Sequence, residues 1–264
     1  MRSTTAELFK HRNALVSLVL TDLKQRYSDI VAGLFWSVVH PLILLFVYTF
    51  VFSVILKVSI RGTNSALDYG VFLFAGMLPW MVIQESVARA TSVFFEQRET
   101  LRHVRLPVHI VPIFPVLASF IHHLLALAVF LVLIPFFGYS FNLSLVLLIP
   151  AFIALFLITS ALALLVSGFN VYWLDTGPLS QAILWILFFA TPIVYPLGIV
   201  PTRLQWLLEI NPLTQLVELY RWAFFGFPSL SSWKIAYLFG WAIFGFAFAF
   251  WIFSKLERDI ADYL

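Results

Sequence analysis

The 264-residue chain has no cysteine, so disulfide bridges and thiolate metal sites are excluded, and nothing about the redox state of its compartment can be inferred. Charge is scarce: Asp, Glu, Lys and Arg make up 11% of the residues, where a soluble domain carries about 25%. The dipeptide Gly-Lys does not occur, so there is no GxxxxGK[ST] loop to cradle nucleotide phosphates, and HExxH, GxSxG and GxGxxG are missing too. No two carboxylates inside an apolar stretch suggest a general acid and base. Neither catalytic nor metal-binding residues are expected, and any cofactor such as ATP with Mg would have to sit on a different polypeptide.

Apolar sequence fills the space that charge leaves. Hydrophobic residues reach 62% with a mean hydropathy of +0.97, more than a water-soluble core of this length can absorb. A span needs about 20 apolar residues to cross roughly 30 Å of hydrocarbon, and the pattern predicts six, at 34–56, 70–92, 108–137, 142–169, 182–198 and 234–254. The expected fold is an all-α integral membrane protein in one domain, 1–264. The fifth span is the weakest: its apolar core from Ala182 to Val194 is short and ends in TPIVYP, whose two prolines break helical hydrogen bonds. It crosses only with help from the residues C-terminal to it.

Lys and Arg collect on the cytoplasmic side of membrane proteins. With the N-terminus inside, that side holds Arg2, Lys10, Arg12, Lys24, Arg26, Arg98, Arg102, Arg105, Lys255 and Arg258, and the other holds Lys57, Arg61, Arg203, Arg221 and Lys234. Both termini are therefore expected in the cytoplasm. The first twenty residues are too polar for a cleaved signal peptide. The net charge of +3 reflects this inner bias and calls for no nucleic acid.

The loops carry their own patterns. Residues 1–30 hold an amphipathic interface helix in which Leu15, Leu18, Val19 and Leu23 oppose Lys10, Asp22, Lys24 and Arg26; a simple anchor is the alternative. FFEQRETLRHVRLP at 94–107 clusters Arg98, Glu99, Arg102 and Arg105, with charge pairs at helical spacing. YWLDTGPLSQ at 172–181 offers Asp175 or Thr176 as a cap before Gly177 and Pro178. These two inner loops suit docking of a soluble subunit, with solvated turns as the alternative. On the other face, 196–232 contains RLQWLLEI and, after the helix-starting Asn211-Pro212, LTQLVELYRWAFFGF. Both pieces are too apolar for a free loop, so two short re-entrant helices are expected before the last span.

Aromatic residues reach 18%; most are expected as lipid-facing filler or interfacial belts, and a minority to line a path. Phe35, Trp36, Tyr48, Trp80, Trp185, Tyr195, Trp206 and Tyr220 are candidates for lining a path, since rings stack on the C–H faces of sugars without gripping them; core packing is the alternative for each. Polar residues within spans face protein or a water-filled cavity. Glu85 and Arg89, an i,i+4 pair near the inner end of the second span, are candidates to admit an anionic lipid headgroup, with snorkelling as the alternative. His122 and His123 point about 100° apart, so they cannot share one site.

The run LVLTDLKQRYSDIVAGLFWSVVHPLILLFVYTFVFSVILK resembles the start of the permease subunits of ABC exporters that move O-antigen, capsule or teichoic-acid polysaccharides. Further matches in order are YGVFLFAGMLPW, LRHVRLPVHIVP, FNVYWLDTG, FFATPIVYP and NPLTQLVELYR, so the resemblance covers nearly the whole chain. His40-Pro41 stands where Asn-Pro is commoner, and Trp173-Leu174-Asp175 where an Arg-Asp pair is common, so the family's salt bridge is not carried over to that loop.

The resemblance implies a homodimer in the bacterial inner membrane, bound to two cytoplasmic nucleotide-binding ATPase subunits that hold ATP and Mg. The substrate implied is an undecaprenyl-diphosphate-linked polysaccharide. By the same resemblance Asp22, Lys24, Arg26, Arg98, Glu99, Arg102, Arg105 and Asp175 belong to ATPase coupling, 94–106 and 172–181 are coupling loops, and 196–232 holds outer gate loops. An exporter of drugs or lipids, a membrane-embedded glycan transferase and a passive channel are the alternatives. A neighbouring gene for a Walker-motif ATPase separates the two exporters from the other two.

Overall fold

The computed structural model describes residues 66–103, 107–139, 141–226 and 230–263, with 16, 19, 20, 39, 42–44, 46–55 and 57 before them. Asp22, Lys24, Arg26, Phe35, Trp36, His40-Pro41 and Arg105 lie outside the described residues, as does the side chain of Arg102.

Among the described residues the protein is all-helical, without strands. The principal helices are α1 (Ala66–Glu96), α2 (Arg98–His103), α3 (Ile113–Leu133), α4 (Leu148–Tyr172), α5 (Thr176–Phe189), α6 (Thr202–Glu209), α7 (Pro212–Phe225) and α8 (Ser232–Tyr263). Four stretches are long and apolar enough to cross a bilayer: Asp68–Glu96, Val108–Phe136, Leu143–Tyr172 and Ser232–Glu257. This is a multi-pass membrane protein. Two shorter apolar helices, Leu42–Phe52 and Thr176–Phe189, overlap the other two stretches expected to span. The fifth element starts at Thr176 rather than 182, because the capped loop and the apolar run form a single helix.

Helix α1 is the centre of the bundle. Of its most apolar window 78% is buried, against 17% for α8, whose Trp241, Phe244, Phe248 and Trp251 are exposed as lipid-facing side chains are. Helix α3 runs antiparallel to α1, with Phe74 on Phe130 at 4.7 Å and Glu85 on His122 at 2.9 Å. Helix α4 runs antiparallel to α3, pairing Phe152 with His123 and Phe156 with Phe120. Small residues let helices approach closely where lipid offers no hydrophobic drive between them. Helix α4 follows this rule against α8: a β-carbon on Gly168 would lie 3.2 Å from the Phe253 ring.

The Asp68 end of the bundle is closed by turn chemistry. Gly138 takes φ +82 after the 3-10 turn Ile134–Phe137, a left-handed conformation that favours glycine. The next residue, Tyr139, donates its hydroxyl to Asp68 at 2.6 Å and sets its ring on Phe225 at 5.4 Å. Ser144 donates to the Ala223 carbonyl at 3.0 Å, tying the loop before α4 to the end of α7.

Candidate functional site

Helix α5 has 14 residues; at about 1.5 Å each it spans about 21 Å, short of the roughly 30 Å of a hydrocarbon core. It begins beside Thr91, where Gly177 makes room for the Thr91 methyl, and climbs to the level of Trp80, which meets Phe188 at 5.4 Å. There it stops. Pro192 has no N–H for the Phe188 carbonyl and disfavours the helical conformation at Thr191. Residues 191–196 are non-helical, with Thr191, Ile193 and Val194 at 0%, 0% and 1% exposure.

Irregular backbone at membrane depth survives only where protein supplies its hydrogen bonds. Four carbonyls at this bend are capped by side chains. Tyr195 donates its hydroxyl to the Phe189 carbonyl, and Asn211 donates to the Ala190 carbonyl at 3.2 Å and to the Thr191 hydroxyl at 2.9 Å. Arg221 donates from Nη2 to the Ile193 carbonyl at 2.8 Å, and Tyr69 donates to the Val194 carbonyl at 2.6 Å. The bend is thus clipped to α1 on one side and to α7 on the other.

Two of these residues do more than cap. Asn211 also starts α7: its side-chain oxygen accepts the Leu213 N–H at 3.0 Å and Pro212 follows as the first helical residue, the expected Asn-Pro start. Arg221 is 1% exposed. Its Nη1 donates to Glu218 at 2.7 Å, and its guanidinium lies 3.5 Å from the centre of the Phe72 ring. Arg221, counted in the sequence among the basic residues of the outer side, is thus buried within the bundle. A desolvated arginine needs a carboxylate and hydrogen bonds together, and Glu218, the Ile193 carbonyl and Phe72 supply both and a π face.

The aromatic candidates separate into two groups. Phe188 is a hub for Tyr48 at 6.2 Å, Trp80 at 5.4 Å and Trp185 at 6.5 Å, and Tyr195 bonds back to the adjacent Phe189 carbonyl. Tyr48 and Trp80, far away in the sequence, thus meet α5 at Phe188, whereas Tyr195 reaches α5 through its hydroxyl. Tyr220 is elsewhere, fully buried, with its hydroxyl 3.0 Å from His123 Nε2. As placed, Tyr220 and Trp80 are core side chains, while Trp185 and Trp206 are exposed at 58% and 60%.

Residues 13–225 match the profile of the ABC-2 type transporter family. The chain belongs to that family. It is similar to an O-antigen export system permease protein RfbA of Myxococcus xanthus, 29% identical over 221 residues and 83% of each chain. It is also similar to an O-antigen export system permease protein RfbA of Klebsiella pneumoniae, 27% identical over 251 residues, 95% of this chain and 94% of that one. A second Klebsiella pneumoniae protein of the same description is 26% identical over 254 residues.

Toward the Glu96 end, this ABC-2 family member carries a polar edge on α1. Glu85 lies 2.9 Å from His122 Nδ1 on α3, Arg89 stands one turn on, and Ser92 donates to Glu96. The partner of Glu85 across the helices was invisible to the i,i+4 spacing that picked out Glu85 and Arg89. His122 and His123 do face different partners, Glu85 and Tyr220. Helix α2 lies within the 94–107 loop, where the charge pairs have helical spacing, with Arg98 and Glu99 exposed. Asp175 occupies the cap position of α5, but its side chain makes no capping bond; Trp173 and Leu174 beside it are 68% and 70% exposed. Behind that turn, Asn170 donates to the Thr91 carbonyl at 2.7 Å.

Proposed function

We propose that this chain is the conduit-forming permease of an exporter that moves a lipid-linked polysaccharide, O-antigen or a similar glycan on undecaprenyl diphosphate, across the bacterial inner membrane. Two copies meet around the path, and two cytoplasmic ATPase subunits with ATP and Mg drive it. The short helices Leu42–Phe52 and α5 complete six crossings with the help of their neighbours, both termini face the cytoplasm, and α6 and α7 form a re-entrant gate on the outer side. The observation that carries a conduit is the break after Phe189. A continuous span would anchor the chain as well, whereas a helix that stops short of a full crossing, with its bend fastened to α1 and α7, leaves the rest of the crossing to be lined by other residues. The near end-to-end similarity to O-antigen export permeases supports the substrate class.

Each feature then has a task. Leu179, Ile183, Ile186 and Phe189 leave an exposed apolar face on α5 that a second copy covers, placing Tyr48, Trp185 and Tyr195 near the path between copies. Rings stack on sugars and release them, as a processive step requires. Glu85 and Arg89 admit the anionic headgroup. The turn at Trp173–Asp175 and helix α2, with Arg98, Glu99 and Arg102, receive the push of the ATPase together with Arg105 beyond the helix; Asn170 relays it to α1 through the Thr91 carbonyl.

Co-purification with the ATPase encoded beside it, followed by analysis of lipid-linked glycans in a strain lacking this chain, tests the reading. Polymer is expected to accumulate at the inner leaflet. Normal surface polymer with lost drug resistance or altered lipid content would instead identify an exporter of drugs or lipids.

A further inference from the structure

Ser86 on α1, Ser119 on α3 and Ser160 on α4 are 0%, 1% and 0% exposed, and none of their hydroxyls has a hydrogen-bond partner among the described residues. A hydroxyl in an apolar helix ordinarily bonds the carbonyl four residues back, as Thr91, Thr159 and Ser254 do here. The three serines make no such bond. A buried hydroxyl left unpaired is costly, and three on three spans call for a physical account.

Helix register places them together. Ala90, Val116 and Ala163 of the same three helices meet in one buried cluster. Ser86 is four residues before Ala90, Ser119 three after Val116 and Ser160 three before Ala163, so each shares its neighbour's face one turn away. Because α3 runs opposite to α1 and α4, the three steps lead toward the same end of the bundle. Ala90 and Ala163 at one level and the serines at the next let the helices approach closely, and this register directs the three hydroxyls toward one layer.

We propose that Ser86, Ser119 and Ser160 enclose a site for one buried water molecule that bridges α1, α3 and α4. A buried water makes about three hydrogen bonds, and three hydroxyls, each donor and acceptor, supply that number. A metal cation asks for more oxygen ligands than three neutral hydroxyls provide. The bridge fastens the helix carrying Tyr69, Phe72 and Gly76 to the two behind it, so the surface to which the bend is clipped is itself held. This inference does not depend on what the protein transports.

The sign of a substitution decides it. In the purified full-length protein, S86A, S119A and S160A are each expected to lower Tm by about 2–4 °C, and any pair of them to cost little more than one, since the bridge goes with the first hydroxyl. Unchanged or raised Tm values, or fully additive losses, would overturn the shared site. A wild-type Tm that falls when sodium and potassium are replaced by choline would overturn water in favour of a cation. The absence of native cysteine allows the geometry to be read separately: S86C/S119C and S119C/S160C are expected to be bridged by Hg2+ in the folded protein, and failure of both pairs would remove the common layer.

Discussion

The guanidinium of Arg221 occupies the space that a side chain at Gly76 would take: a β-carbon there would lie 3.1 Å from Arg221 Nη2 and 3.3 Å from Val217 Cγ1. The glycine on α1 and the arginine on α7 are thus one device, and through the Ile193 carbonyl they hold the bend between them.

Arg221→Leu strands both Glu218 and the Ile193 carbonyl, and breaking a buried ion pair from one side costs about 3–5 kcal/mol. A large drop in Tm is expected. Arg221→Lys keeps the charge but loses the planar fork that serves Glu218 and Ile193 at once, so it falls between wild type and Leu. Gly76→Ala pushes the guanidinium away without touching charge. Its cost should largely vanish in the Arg221→Leu background, because the two substitutions damage one contact; Tm values for the four proteins check this, and additive losses would separate the residues.

Asn211 has two separable roles. Asn211→Asp retains an oxygen for the Leu213 N–H, so the cap of α7 survives, but it gives up the donor to Ala190 and Thr191. Asn211→Ala loses both, with about 1 kcal/mol for the cap alone. Thiol labelling at Ile193→Cys in this otherwise cysteine-free chain reports the bend directly. Protection is expected with Asn211, labelling with Asp and faster labelling with Ala; equal protection in all three would show that the bend does not depend on this side chain.

The long spans were legible because a bilayer selects apolar runs by length, and the Asn211-Pro212 start because capping chemistry is local. The cap of α5 at Asp175 or Thr176 was legible for the same reason, but not that the helix it starts runs on into the fifth apolar run. Its first turn, TGPLSQ, is polar, so it reads as a loop separate from the apolar run, and only the continuous backbone joins them. Arg221 was missed for a related reason. Glu218 and Arg221 at i,i+3 look like a solvated surface pair, and nothing local reveals that α7 is buried nearly all round. A signal did exist: TPIVYP strips a membrane segment of its helical bonds, and such a segment must borrow donors from elsewhere. Glu85 was found, but its partner His122 lies 37 positions away, beyond the reach of any helical period.

Glu85 and His122 join α1 to α3 within the bundle, at side-chain exposures of 24% and 12%. Replacing Glu85 with Gln removes the charge from a hydrogen bond that contributes about 1.5–3 kcal/mol when one partner is ionised. Lower Tm and reduced export are expected from both Glu85→Gln and His122→Leu. The exchange of the two residues, Glu85→His with His122→Glu, should recover much of the stability if the contact matters for joining helices. Recovery of Tm without recovery of export would place Glu85 in contact with the substrate as well.

Tyr195 separates ring from hydroxyl. The hydroxyl holds the Phe189 carbonyl and so belongs to the bend, whereas the ring is, like Trp185, a member of the proposed sugar path. Tyr195→Phe removes only the bond, and Tyr195→Ala removes both. If sugars slide on the ring, Tyr195→Phe exports polymer at close to the wild-type rate while Tyr195→Ala and Trp185→Ala export markedly less, all three assembling normally with the ATPase. The loss should be steep, since stacking on one aromatic contributes about 1–3 kcal/mol in the analogous case of bases, and a processive polymer meets the ring at every step. If Tyr195→Phe falls as far as Tyr195→Ala, the hydroxyl and its carbonyl are what export requires, and the aromatic lining loses its best member. Surface polymer measured against the amount of assembled complex distinguishes these outcomes, because a folding defect lowers both together and a transport defect lowers only the first.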